Sequence, residues 1–143
     1  ALVYERRLPH PPEKVWRALT ENSLLEQWLM QNDFLPIVGH RFQFRAEPRP
    51  HWNGVTDSEV LDVAPNERLS YTWNASGEEA PEGLKTVVTW TLTPTSDGTQ
   101  LRMEHSGFRP EEDVRNLQGA RYGWPRFLEH LERVVADLEG DSG

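Results

Sequence analysis

A chain of 143 residues with a formal net charge of −8 and no cysteine is the size of one domain, able to bury roughly 70% of its unfolded surface around a single core. The missing cysteines exclude a disulfide framework, a thiolate nucleophile and a cysteine-held zinc or iron–sulfur site, and the acidic balance excludes a phosphate-rich nucleic-acid partner, which is bound through Lys and Arg. No apolar run approaches the ~18–20 residues needed to span a bilayer, and the sequence opens without the basic, apolar, small-residue order of a signal peptide, so the expected location is the cytoplasm.

The first element is a strand over Leu2 to Leu8, stopped by Pro9-His10-Pro11-Pro12, with Pro12 suited to the first turn of a helix. That helix places Val15, Trp16 and Leu19 on one face. After Glu21-Asn22, the spacing Ser23-x-x-Glu26 reads as a capping box opening a second short helix, with Leu24, Leu25, Trp28 and Leu29 buried. Both helices are too short to hold without a larger surface over them.

From Gly39 the apolar period drops to two. Phe42 and Phe44 alternate with charged and polar residues, as do Leu69, Tyr71 and Trp73, and then Val88, Trp90 and Leu92 within Thr86 to Thr93. A Ser96-Asp97-Gly98 turn leads into Leu101, Met103 and His105, which predicts a hairpin. Glu59 to Val63 reads as a strand without clean alternation, consistent with a bulge, and Asn74 to Gly83 as an exposed loop.

Helical spacing returns in Leu117, Ala120, Trp124, Phe127, Leu128, Leu131, Val134, Val135 and Leu138, a stripe roughly 120° wide. Gly119, Gly123 and Pro125 interrupt its first half, and Pro125 predicts a kink. No repeat or linker divides the chain. One domain is expected over residues 1–139 and a disordered tail over 140–143. The expected architecture is α+β: a curved antiparallel sheet with two short helices and a long C-terminal helix across it.

This order of elements resembles the Bet v 1-like, or START-like (SRPBCC), helix-grip superfamily. Pro11-Pro12-Glu13-Lys14-Val15-Trp16-Arg17-Ala18-Leu19-Thr20, Trp28, Gly39-x-x-Phe42-x-Phe44, Val63-x-Pro65-x-x-Arg68-Leu69-x-Tyr71-x-Trp73 and Gly123-Trp124-x-x-x-Leu128-x-x-Leu131 are similar to the branch homologous to the C-terminal domain of the Hsp90 ATPase activator. The likeness covers residues 1 to about 139. It implies a helix-grip fold and an apolar cavity between sheet and C-terminal helix. Superfamily members bind lipids, hormones and polyketides, and a few act as cyclases or hydrolases, so the fold alone leaves the activity open.

Six Trp in so short a chain suit either a thick core or the lining of a cavity. The inward aromatic set is Trp28, Phe42, Phe44, Tyr71, Trp73, Trp90, Phe108, Trp124 and Phe127, joined by Val88, Met103 and Leu128. These rings either fill the core outright or wall a cavity for a small apolar molecule, and the resemblance favours the cavity, placed near Tyr71, Trp90, His105 and Trp124. His105 is the one histidine on an inward pattern: an acid, a base or an anchor for a ligand on one reading, a hydrogen-bonded core histidine on the commoner one. Glu59, Asp62 and Arg102 are either rim residues or ordinary surface charges. His10, His40, His51 and His130 show no metal-ligand spacing, and G-x-S-x-G, G-x-G-x-x-G and P-loop motifs are missing. No catalytic residue, metal or cofactor is therefore assigned. The expected function is binding of a small apolar ligand; the alternatives are a chaperone-interacting protein of the Hsp90-activator kind and a cyclase- or hydrolase-like enzyme using the same cavity.

Overall fold

The computed structural model describes residues 1–48, 54–75, 85–109 and 111–138. Strand β1 (Leu2–Leu8) is followed by helices α1 (Pro12–Thr20) and α2 (Asn22–Trp28), then β2 (Gln31–Asn32), β3 (Arg41–Arg45), β4 (Val55–Ala64), β5 (Arg68–Ala75), β6 (Thr86–Thr95), β7 (Gly98–Ser106) and the long helix α3 (Val114–Asp137). The strands form one antiparallel sheet in the order β1-β7-β6-β5-β4-β3-β2. It curls around α3, which is the helix-grip arrangement of an α+β fold.

Alternation decides which face is buried. On β6, Val88, Trp90 and Leu92 are buried while Thr89 and Thr91 are half-exposed; on β7, Leu101, Met103 and His105 face the same way. The β6–β7 register sets Trp90 opposite Met103 and Val88 opposite His105. The two-residue turn Ser96-Asp97 closes the hairpin by pairing Thr95 with Gly98, and a Cβ at Gly98 would lie 2.0 Å from the carbonyl oxygen of Leu8, so only glycine lets β1 end against this turn. On β4 the register slips between Val60 and Asp62, leaving Leu61 exposed. This bulge is why no single face can be read through Glu59 to Val63.

Two local expectations are corrected. Helix α2 starts at Asn22 with Glu21 as its N-cap and has no side-chain cap, so Ser23 lies inside the helix rather than opening a capping box. A tertiary tie sets this start: Asn22 Nδ2 donates to Asn32 Oδ1 at 2.7 Å and to the carbonyl of Phe34 at 2.8 Å, while the Glu21 carboxylate is engaged by Arg17. The predicted loop from Asn74 begins later, because Asn74 pairs with Asp57 and Ala75 with Thr56 at the end of β5; residues 76–83 of that loop lie outside the described residues, as do residues 140–143 of the expected tail. Helix α3 runs from Val114 to Asp137 and so includes the predicted stripe from Leu117 to Val135, and its helical residues continue on both sides of Pro125.

The core is packed around aromatic rings. Trp28 meets Trp90 edge-on at 5.6 Å and 89°, and its indole N–H donates to the carbonyl of Ala18 at 2.7 Å, which fastens α2 to α1. Trp90 gives its own N–H to the Tyr71 hydroxyl at 2.9 Å and meets Trp124 of α3 at 5.8 Å. Phe34 adds a ring against Phe42 at 5.1 Å. Trp90 has no exposed surface, and truncating so deeply packed an aromatic side chain costs about 3–5 kcal/mol. Chemical denaturation of Trp90→Ala is expected to show that loss; a change below about 1 kcal/mol, the range of peripheral substitutions, would place Trp90 on the wrong face.

Candidate functional site

Between the inner face of the sheet and the first half of α3 lies a cavity of about 740 Å³, within the ~300–1,000 Å³ range of sites that enclose drug-sized molecules. Its inner end is made by Leu29 and Met30 following α2, Thr56 of β4, Trp73 of β5 and His105 of β7, all buried. Phe108 adds a half-buried ring 4.4 Å from that of His105. Helix α3 closes the other side with a stripe running from Asn116 through Gly119, Gly123 and Phe127 to His130. Glu47, Tyr122 and Arg126 stand at the mouth, where the Arg126 guanidinium lies 4.0 Å from the centre of the exposed Tyr122 ring.

Of the side chains proposed from sequence as ligand contacts, the structure brings Trp73, His105, Phe108, Trp124 and Phe127 into this wall. It places Trp28, Phe42, Phe44, Tyr71, Val88, Trp90, Met103 and Leu128 in the solid core behind it, buried against one another. Trp124 is the partition. One side of its ring meets Trp90, and around it stand Trp73 at 5.3 Å, His105 at 5.8 Å and Phe127 at 5.7 Å. The three charges considered for the rim are elsewhere: Glu59 pairs with Arg41 at 3.3 Å, Asp62 with Arg68, and Arg102 with Glu104 at 3.0 Å.

His105 is 1% exposed and has both ring nitrogens engaged. The Trp124 indole donates to its Nδ1 at 2.9 Å. An indole N–H can only donate, so Nδ1 is the acceptor and the ring proton sits on Nε2, 2.8 Å from Thr86 Oγ1. Thr86 in turn donates to the carbonyl of Trp73 at 2.5 Å. Every proton in this relay is assigned, the imidazole is neutral, and a second ring proton would point at the indole N–H. Burial accordingly pushes the His105 pKa down to about 3. A histidine held in this way has no free nitrogen with which to move a substrate proton near neutral pH. Burial also holds the Tyr71 phenol protonated, well above its ordinary range.

Sequence reasoning passed over Thr56 and Ser58. Both are buried on the inward face of β4, and the hydroxyls of both lack a hydrogen-bond partner among the described residues. No group of three His, Cys, Asp or Glu side chains suited to a metal occurs among the described residues, and no helix there is long and apolar enough to cross a membrane.

A family profile described as activator of Hsp90 ATPase homolog 1-like protein matches residues 9–136. The chain belongs to this family. Among solved structures, protein MLL2253 from Mesorhizobium loti is 54% identical over 96% of this chain and 98% of its own, with a TM-score of 0.87. Protein CV1439 from Chromobacterium violaceum is 26% identical, covering 94% and 95% of the two chains, with a TM-score of 0.76. DynU16, described as a protein in the dynemicin biosynthetic locus, is 26% identical with a TM-score of 0.75; the match covers 95% of this chain but 47% of DynU16. Among curated proteins, none matches.

The relay has a pH consequence. The His105 pKa is depressed from 6.5 to about 3, so the unfolded state takes up a proton that the folded state refuses. Its contribution to stability is complete above about pH 6.5 and is lost as pH falls towards 3. Between pH 6.5 and 5, above the range where carboxylates titrate, the unfolding free energy is expected to drop by roughly 1.6 kcal/mol, and His105→Gln to flatten that drop. An equal slope in the variant would mean that His105 is not the group responsible.

Proposed function

We propose that this chain binds a small apolar molecule in the cavity between the sheet and α3. The observation that carries the reading is glycine in the middle of α3. Gly123 sits in the cavity wall, and a Cβ built there would meet only Phe127, at 3.5 Å, an ordinary contact. Glycine within a helix is disfavoured by about 1 kcal/mol relative to alanine, and packing at this position does not ask for it. What glycine preserves here is open volume beside Trp124 and Phe127.

A ligand losing ~300 Å² of apolar surface gains at most ~7 kcal/mol before the costs of association and ordering, so micromolar affinity is expected. The neutral dye N-phenyl-1-naphthylamine should bind with enhanced fluorescence and raise the melting temperature by mass action. Gly123→Ala should stabilise the fold by about 0.5–1 kcal/mol, and Gly123→Leu should abolish dye binding while leaving the circular dichroism spectrum unchanged. Dye binding that is absent from the parent protein, or indifferent to Gly123→Leu, would put the function elsewhere.

A second reading rests on the family's description and on an exposed apolar strip before β3, where Leu35, Ile37 and Val38 are 45%, 59% and 61% exposed. It makes the chain a chaperone-interacting protein. Titration into an Hsp90 is expected to leave ATP turnover unchanged. An acceleration that saturates and persists with Gly123→Leu would favour this strip over the cavity.

A further inference from the structure

Among the described residues, buried hydroxyls on the inner face of this sheet are satisfied with two exceptions. Thr86 is engaged by His105 and Trp73, and Thr99 donates to the carbonyl of His10. Thr56 and Ser58 of β4 have no partner among the described residues. Valine would fit Thr56's place in a strand with nearly the same shape and without a polar atom to desolvate, so the hydroxyl calls for an explanation. Thr56 also lines the cavity.

A second polar group is carried by the adjacent strand. The indoles of Trp28, Trp90 and Trp124 each donate a hydrogen bond, whereas that of Trp73, 8% exposed and part of the same wall, has no acceptor among the described residues. The register pairs Thr56 with Ala75, so Trp73, two residues earlier on β5, is its diagonal neighbour on the same face. The charged residues of the wall, Glu47 and Arg126, and the imidazole of His130 are exposed at the mouth. The inner end offers two hydrogen-bonding groups and no countercharge, so an anionic head there would be stripped of water without compensation. The Thr56 hydroxyl is closed to solvent, and one step of χ1 exchanges it with the methyl group.

We propose that the cavity binds its ligand head-first: a neutral hydroxyl compound, alcohol or phenol, whose oxygen accepts from the Trp73 indole and shares a hydrogen bond with Thr56, with its apolar body lying between Trp124 and Phe127. This deepens the reading of the cavity as an apolar binding site and rests on it. The test compares three probes of matched shape, 2-naphthol, 2-methylnaphthalene and 2-naphthoate, by calorimetry at pH 7. The parent protein should bind 2-naphthol roughly fivefold to tenfold more tightly than 2-methylnaphthalene, the worth of one net hydrogen bond, and bind 2-naphthoate most weakly. Thr56→Val should narrow the gap between the first two affinities to the share left by the Trp73 indole without lowering the melting temperature, and Thr56→Ser should retain the full preference. Only 2-naphthol should shift the Trp73 indole N–H resonance downfield. If 2-methylnaphthalene binds and the preference is missing, or survives undiminished in Thr56→Val, the anchor is wrong and the apolar cavity stands. Tighter binding of 2-naphthoate overturns the neutral head, and failure of all three probes overturns the cavity reading together with it.

Discussion

Helix α3 is tied to the sheet by a buried hydrogen bond from the Trp124 indole to Nδ1 of His105 on β7. The apolar surface between helix and sheet is non-directional and by itself leaves a helix free to slide or rotate. A bond between two buried rings, continued through Thr86 to the backbone of β5, sets both the depth and the rotation of α3. On one side of this tie Trp124 meets Trp90 and the interior is solid; on the other α3 carries Gly119 and Gly123 and the interior is open. A neutral, fully bonded imidazole suits this task, because it offers one acceptor and one donor in a rigid plane and holds no charge to desolvate.

The strands were legible because alternation is a local signal: Phe42 and Phe44, or Val88, Trp90 and Leu92, announce a buried face within a few residues. The relay was not legible in the same way. Alternation turns His105 inward, but its partners Thr86 and Trp124 stand nineteen residues away on either side, and only the β6–β7 register and the docking of α3 bring the three together. The start of α2 was misread for a related reason. Ser23-x-x-Glu26 is a sound local signal, and it lost to hydrogen bonds from Asn22 to Asn32 and Phe34 that no local rule contains.

Thr56 and Ser58 were hidden by the rule that polar residues face water. On β4, Thr56, Ser58 and Val60 are the inward set, so the apolar-in pattern marks only its last member, and the bulge after Val60 removes the continuation that would have fixed the phase. Positions where an inward strand residue is polar and unsatisfied are those where sequence pattern and fold disagree, and such disagreements concentrate where a protein does something besides fold.

The aromatic residues were expected to act as one set, and the structure divides them by what surrounds each polar atom. The indoles of Trp28 and Trp90 are satisfied within the core, and the rings around them are closed on every side. Trp124 is satisfied by the sheet, which makes it a fixed wall. Trp73 contributes a ring to the same wall with its N–H uncommitted among the described residues. A cavity lined only by satisfied groups would accept any apolar body of suitable size, with little to choose between orientations. One walled by a fixed indole on the helix side, with an uncommitted indole and a hydroxyl one χ1 step away on the sheet side, would be polarised along its depth, and under the binding proposed above that asymmetry would distinguish one end of a ligand from the other.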